Sequence, residues 1–472
     1  MTISFMFPIG IKRYLRHRIK HLLGRPAVQR FIFRIAAIWA EARNENRLAQ
    51  SSYLSTDQSL VVFSDYIPEI SPIIPRLSQH HPEGARINLL LPFLSAAHVF
   101  GGAATALRTF QRLSKLFPHA RIIVTDEIHP VPKTDDFYSL WPILDHLDPD
   151  LDADHIVGLG KRAGRSLVVG PQDVFIATIW YTAHIAFPLL EWQNRQFPNG
   201  SEGNRKIIYL IQDFEPGFYP WSTRYALADA TYTHPEKTLA VINTEILSKY
   251  FELHGYSFSN QQILRPRLNT QLAKIRSCTP RLPKTPTILI YGRPSIDRNA
   301  FPLIVSALGI WASVYKEAST WELVGAGENF ADIDLGNGVV LRSVGKLNLD
   351  EYSELLIRSA IGISLMISPH PSYPPLEMAA FGIKVLTNGY ANKNLSNISP
   401  TIHSLDCCDP HSLAAALVTT CDEYRSGSKV VYQDAINLNN EFLDGGDELE
   451  GIENLFGKDC FLQQYNLNRK NH

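Results

Sequence analysis

The sequence predicts an α/β fold of two Rossmann-like domains facing each other across a cleft, preceded by a helical N-terminal segment. Three observations predict it. Apolar runs of strand length alternate with helical periodicity, the pattern of a doubly wound parallel sheet. The alternation occurs twice. Between the two series lies a stretch rich in Pro, Arg and Thr with little periodicity, which reads as a linker. The expected divisions are a partly basic helical leader over 1–80, a first domain over 81–265, a linker over 266–286, a second domain over 287–440, and a C-terminal segment over 441–472 packing back on the first domain.

The strand at Ile87–Leu94 is nearly all apolar, as expected of a strand buried on both faces. A loop with Gly101 and Gly102 leads into a helix over Ala103–Phe117, whose Leu107, Phe110 and Leu113 share a face. Further strands are predicted at Arg121–Thr125, Asp173–Trp180, Lys206–Ile211 and Leu239–Asn243, the last followed by a helix over Glu245–Leu253. The second series starts with a strand at Thr287–Tyr291. It continues with a helix over Phe301–Tyr315, a strand at Trp321–Val324 and a Gly325-Ala326-Gly327 turn. Asn348 and Glu351 form a capping-box pattern for a helix over Leu349–Ser359. A strand at Ile361–Ser368, a short helix over Leu376–Phe381 closed by Gly382, and a strand at Lys384–Thr387 complete the series.

Composition excludes several classes. With 45% apolar and 19% charged residues the chain is globular, and a net charge of −1 argues against nucleic-acid binding by the whole molecule. No apolar run reaches the ~18 residues of a bilayer span, and no secretory signal is expected. The five cysteines include no Cys-x-x-Cys pair, which fits reduced thiols in the cytosol rather than a disulfide frame or a zinc site. From Lys12 to Arg34 there are eight basic residues and no acid, with Ile11, Leu15, Ile19, Leu22 and Leu23 at helical spacing. Such a helix suits peripheral contact with an anionic inner membrane face, and equally a solvated helix docked through its stripe.

Candidate chemistry gathers at predicted strand ends, where open parallel sheets bind ligands. Arg293 and Arg298 follow the Thr287–Tyr291 strand. Two guanidinium groups there suit a departing diphosphate and do the work of a metal; a turn with two solvated arginines is the other reading. Asp213 and Glu215 follow the Lys206–Ile211 strand among Phe218, Tyr219 and Trp221, a composition that holds sugar hydroxyls and ring faces. Either carboxylate suits orientation or deprotonation of an acceptor hydroxyl, against the alternative of a Pro-Gly turn beside core aromatics. Glu377 lies in the first turn of a helix entered by the proline-stiffened loop Ser368–Pro375. Gly101 and Gly102 permit close backbone approach to substrate, or simply join strand to helix. His98 and Thr105 lie nearby, and Thr178, Trp180, Thr182 and His184 either line the acceptor side or belong to strand and core. Asp150-Leu151-Asp152 and Asp332-Ile333-Asp334 match an Asp-x-Asp metal pattern, but neither directly ends a convincing strand, and the first sits in an acidic run read as surface. No catalytic metal and no cofactor are expected.

These stretches carry a family resemblance. Residues 287–390 resemble the donor-binding domain of GT-B glycosyltransferases of retaining family four, with Gly292-Arg293 and a second cation, Gly325-Ala326-Gly327, and Glu377 before Met378-Ala379-Ala380-Phe381-Gly382. The resemblance implies that Arg293 and Arg298 bind the diphosphate and Glu377 the ribose, with Gly292, Gly325, Gly327 and Tyr373 among the substrate-binding positions. Two departures stand out. Arg298 replaces the usual Lys, and Pro369 stands where the first Glu of a Glu-x7-Glu element belongs, so the donor sugar must be held differently. The run Gln212-Asp213-Phe214-Glu215-Pro216-Gly217-Phe218-Tyr219-Pro220-Trp221-Ser222, with Ser368–Gly382, further resembles the WsaF-type rhamnosyltransferases over roughly residues 85–440. That implies dTDP-L-rhamnose as donor, a surface glycan or lipid-linked glycan as acceptor, and retaining transfer in the cytoplasm or on the inner membrane face. A sugar-nucleotide epimerase and a catalytically degenerate glycan-binding or scaffolding subunit are the rivals. A dehydrogenase is disfavoured, since no Gly-x-Gly-x-x-Gly follows the first strand.

Overall fold

The computed structural model describes residues 67–78, 83–94, 101–128, 137–160, 162–198, 205–279, 283–427, 440–443 and 446–456. The basic stretch Lys12–Arg34 and His98 lie outside them. In chain order the strands and helices of the first half are β1 (Ile74–Arg76), β2 (Arg86–Leu94), α1 (Gly102–Ser114), β3 (His119–Ile128), β4 (Ile143–Asp145), β5 (His155–Gly158), β6 (Ser166–Val168), β7 (Asp173–Ala177), α2 (Trp180–Gln196), β8 (Ile207–Ile211), α3 (Thr223–Ala230), β9 (Thr238–Asn243), α4 (Glu245–Leu253) and β10 (Asn260–Leu264). The second half contains α5 (Thr270–Cys278), β11 (Thr285–Gly292), α6 (Phe301–Val314), β12 (Glu322–Gly327), β13 (Ile333–Gly336), β14 (Val339–Gly345), α7 (Leu349–Arg358), β15 (Ser359–Ile363), α8 (Pro374–Ala380), β16 (Lys384–Asn388), β17 (Ile402–Leu405), α9 (Pro410–Arg425) and α10 (Asn440–Leu443).

Two sheets organise these elements. The first runs β10-β9-β8-β7-β2-β3-β5-β4 and is parallel throughout. The second runs β13-β14-β12-β11-β15-β16-β17, parallel except where β13 turns back on β14. Each sheet is covered on both faces. In β2, Ile87, Leu89 and Leu91 enter one apolar cluster and Leu90 the opposite one, as period-2 alternation requires. In β11, Ile288 and Ile290 face one cluster and Leu289 the other.

Topology locates the crevices. The chain leaves β2 toward β3 and β5, then returns to β7 on the other side; in the second sheet it leaves β11 toward β12 and returns to β15. The strand order therefore reverses beside β2 and beside β11, and ligands bind beyond the carboxyl ends at such points. Those ends face one another. Asp213 after β8 meets loops that follow β11 and β15, Asn243 of β9 meets Tyr373, and Asn392 after β16 donates to the carbonyl of Ile246.

Several boundaries depart from expectation. The 1–80 leader is not wholly helical, because Ile74–Arg76 is a strand paired in parallel with β6. Three residues are too few to show a period, so only the tertiary partner defines that strand. Within the 266–286 linker Thr270–Cys278 is helical, capped by Asn269, whose side chain accepts from the amides of Gln271 and Leu272. The Asp173–Trp180 strand ends at Ala177, because the Thr182 hydroxyl accepts the amides of Thr178 (2.8 Å) and Ile179 (3.1 Å) and starts α2. Gly325-Ala326-Gly327 completes β12 instead of forming a turn, and β15 stops at Ile363, leaving 364–373 as a loop.

Asp150 is the clearest correction. Its side chain is buried, not a surface acid: both its oxygens accept from Arg86 (2.8 and 2.9 Å), while Arg86 also grips Asp173 (2.8 and 3.0 Å). Arg121, also buried, joins the group through Asn88 at 2.7 Å and Asp173 at 3.4 Å. Burial alone would raise the Asp150 carboxyl, but the His155 hydrogen bond and the two arginines hold it well below the usual carboxylate range. The network ties the amino ends of β2, β3, β5 and β7, opposite the cleft.

Candidate functional site

The segment after β11 turns through a 3-10 turn at Asp297–Asn299 into α6 and carries both candidate cations. Arg293 Nε donates to Glu328 at 3.2 Å, and Glu328 also accepts from the amide (3.0 Å) and hydroxyl (2.7 Å) of Ser295. Arg298 reaches across the cleft. Its Nη1 lies 3.5 Å from Asp213 Oδ2, and its guanidinium sits 4.0 Å from the centre of the Phe218 ring. The Arg298 carbonyl accepts from the amide of Ile367 at 2.7 Å, which ties this segment to the loop after β15.

That loop supplies the opposite wall of the crevice. Ser368 donates its hydroxyl to Asp213 and accepts the amide of His370 at 2.9 Å. His370 is buried, and its Nδ1 accepts the amide of Ser372 at 3.0 Å. Burial pushes the imidazole pKa down to about 4, with Lys393 and Arg298 reinforcing and Asp213 opposing. Lys393, 1% exposed, donates to the carbonyl of Met366 at 2.6 Å, and burial brings its ammonium down to about 8.

The two acids of the first domain separate here. Asp213 makes contacts from both domains: Arg298 and Ser368 on one side and the amide of Phe214 at 2.8 Å on the other. Glu215, also buried, accepts the amide of Trp180 at 2.5 Å, and burial pushes its pKa up to about 8. A raised pKa favours the protonated form of Glu215 near neutral pH. Trp180 is core, and its indole donates to the hydroxyl of the half-buried Tyr219 at 3.0 Å. Trp221 stands apart, 95% exposed. Thr178 donates to the Leu90 carbonyl and His184 bonds the Leu227 carbonyl, so both have structural partners.

Glu377 accepts from the Tyr352 hydroxyl at 3.1 Å and has its pKa pushed up to about 7, chiefly by burial. Tyr373 bonds Asn243 at 3.3 Å and donates to Glu448. Gly102 packs against Gln212, whose amide donates to the Gly102 carbonyl at 3.0 Å, so the Gly101-Gly102 loop is fastened to the end of β8 beside Asp213. Thr105 receives a hydrogen bond from Arg108, which also pairs with Glu448. Gly292 and Gly325 make room for the Phe330 ring, and Gly327 (φ +137°) lets β12 approach the carbonyl of Gly292, so packing explains these three glycines.

The arrangement brings Asp213, Arg298, Ser368 and His370 together and places Arg293 and Glu377 on the second domain alone. His370, Ser368, Lys393 and Glu328 were not singled out from the sequence. Ser368 and His370 lie within the quoted Ser368–Gly382 run, but a buried unpaired nitrogen is visible only in three dimensions. Asp332 accepts the Ser343 amide and Asp334 the Gly336 amide. Among the described residues no group of three or more His, Cys, Asp or Glu side chains is placed to hold a metal ion, and no helix is long and apolar enough to cross a membrane. A cavity of about 700 Å³ lies to one side, between Gln261 and Gln262 of β10, Arg265, Arg267 and the Glu448–Glu450 segment.

Two doubly wound sheets with facing carboxyl ends, and a crevice walled by the loops after β11 and β15, define the GT-B architecture of glycosyltransferases. The chain belongs to the WsaF family: the WsaF N-terminal domain matches residues 86–245 and the WsaF C-terminal domain residues 286–418. It is 28% identical over 224 residues to the O-antigen biosynthesis protein RfbC of Myxococcus xanthus, a match spanning 46% of this chain and 15% of that protein. Similar solved structures include the Anabaena protein HepE in complex with UDP (TM-score 0.49, 10% identity, 76% of this chain and 97% of that one). Sucrose-phosphate synthase from Thermosynechococcus elongatus is another (TM-score 0.48, 11% identity, 81% of this chain and 100% of that one).

Proposed function

We propose that this protein transfers a hexosyl residue, L-rhamnosyl from dTDP-L-rhamnose, to a bacterial surface-glycan acceptor, with retention and without a metal ion. The observation that carries the reading is Arg298, which stands beside the switch point of the second sheet and reaches Asp213 of the first domain at 3.5 Å. A cation so placed meets a substrate held between the domains, where its charge is worth most.

In this account Arg293 and Arg298 neutralise the diphosphate as the bond from the sugar C1 to the phosphate oxygen breaks. The acceptor oxygen bonds to C1 from the same face, and its proton leaves with the departing phosphate. Glu377 takes the ribose hydroxyls, and Tyr352 fixes its orientation. Asp213 orients the acceptor hydroxyl once Arg298 turns to the phosphate. Glu215, protonated at neutral pH, holds the start of α2 and supports the aromatic wall of Trp180 and Tyr219. Closure of the domains excludes water and limits donor hydrolysis. The basic segment Lys12–Arg34 would keep the enzyme at the anionic inner membrane face, near a lipid-linked acceptor.

The test is transfer of label from dTDP-L-[14C]rhamnose to a lipid-linked glycan extract by the wild type and by Arg298→Ala. Incorporation that falls about a hundredfold in the variant is expected. A folded wild type that leaves all label in the donor while binding the glycan would instead support the scaffolding role.

A further inference from the structure

Two donors in the cleft lack acceptors. His370 Nε2 is buried with no hydrogen-bond partner, and so is Arg298 Nε. Burying an N–H without an acceptor is costly, so such groups call for an explanation. The imidazole tautomer follows from its other nitrogen: a backbone amide, that of Ser372, donates to Nδ1 at 3.0 Å. Nδ1 is thus an acceptor, and in the neutral ring the proton sits on Nε2. The two residues stand on either side of the switch point, one after β11 and one after β15, with their loops joined by the Ile367–Arg298 hydrogen bond. The charged side chains acting on His370 are Arg298, Lys393 and Asp213, two positive and one negative. Two free N–H donors in a locally positive setting match an oxyanion.

We propose that His370 Nε2–H and Arg298 Nε–H together hold one oxygen of the donor's diphosphate, entering as Ser368 and Arg298 release Asp213. The inference rests on the nucleotide-sugar reading above. It makes His370 a binding residue of the reaction, on the loop where Pro369 offers no polar side chain. The neutral imidazole contributes direction and Arg298 contributes charge. Because the ring is neutral across the working range, the contact needs no protonation step.

The experiment is calorimetric titration of the full chain with dTDP, UDP, GDP, inorganic pyrophosphate and dTDP-L-rhamnose. It compares wild type, His370→Phe and His370→Gln, whose side-chain amide nitrogen falls near the position of Nε2. Binding of the preferred nucleoside diphosphate and of pyrophosphate should weaken about tenfold or more in His370→Phe and stay within about threefold in His370→Gln. In parallel, the Nε2–H resonance of the wild type, assigned by its loss in His370→Gln, should move downfield and exchange more slowly at saturation. Wild-type affinity in His370→Phe, equal loss in both variants, or an unmoved resonance overturns the proposal. Loss confined to dTDP-L-rhamnose overturns the diphosphate assignment in favour of a sugar oxygen. A wild type that binds no nucleoside diphosphate overturns the nucleotide-sugar reading itself, a different result from binding that ignores His370.

Discussion

Burial decides what each acid of the cleft can do. Glu215 has a folded pKa near 8 against an ordinary 4.5, raised by burial. Its contribution to stability is therefore complete below about pH 4.5 and is lost as pH rises through 8, when the folded state must give up a proton the unfolded chain has already lost. Glu377, pushed to about 7, acts in the same direction over a narrower window. Glu215→Gln should melt less steeply than wild type between pH 5 and pH 8.5, the gap reaching on the order of a few kcal/mol; parallel melting curves would show that Glu215 is ionised in the fold. Glycines test packing in the same way. A Cβ at Gly327 would stand 2.6 Å from the Gly292 carbonyl oxygen at φ +137°, whereas a Cβ at Gly101 (φ +51°) meets nothing within 4 Å. Gly327→Ala should cost about 2–4 kcal/mol by denaturant melts and Gly101→Ala about 1 kcal/mol. Similar losses at both positions would refute the packing account.

At the scale of elements, local signals were legible where they were strong. The Asn348–Glu351 capping box appears with both its hydrogen bonds, and Glu245–Leu253 is helical over the expected span. Elements defined by distant partners were not legible. β1 exists because β6 pairs with it, and α5 has few apolar positions to show a period. Asp150 lies in an acidic run that suggests solvent, while its partner Arg86 lies 64 residues away in sequence. Arg298 could be read from its place after a strand, but the pairing with Asp213 and the free nitrogen of His370 belong to no local pattern. The buried network gives its own prediction. Arg86→Ala leaves Asp150 and Asp173 with only Arg121 and His155 as charged neighbours and should cost about 3 kcal/mol in chemical denaturation, with catalytic constants of the remaining folded protein little changed; a loss under about 1 kcal/mol would mean the charges are solvated.

Across the whole molecule the domains are joined by more than the linker. Phe442 and Leu443 pack into a core cluster of the second domain, and Leu449, Ile452 and Phe456 pack into a cluster of the first. Between them Glu448 meets Arg108 of α1 and Tyr373 of the site loop. Ile452→Asp should therefore lower the melting temperature by several degrees, because a carboxylate replaces a side chain buried in the first core; an unchanged melt would show that the segment is dispensable. In the proposed function a nucleotide sugar's diphosphate binds at Arg298 between the two domains. Isothermal calorimetry of dTDP against wild type and Arg298→Ala tests it most directly. Saturable one-site binding that weakens at least about tenfold in the variant is expected. Equal affinity in the two proteins, both folded, would contradict it.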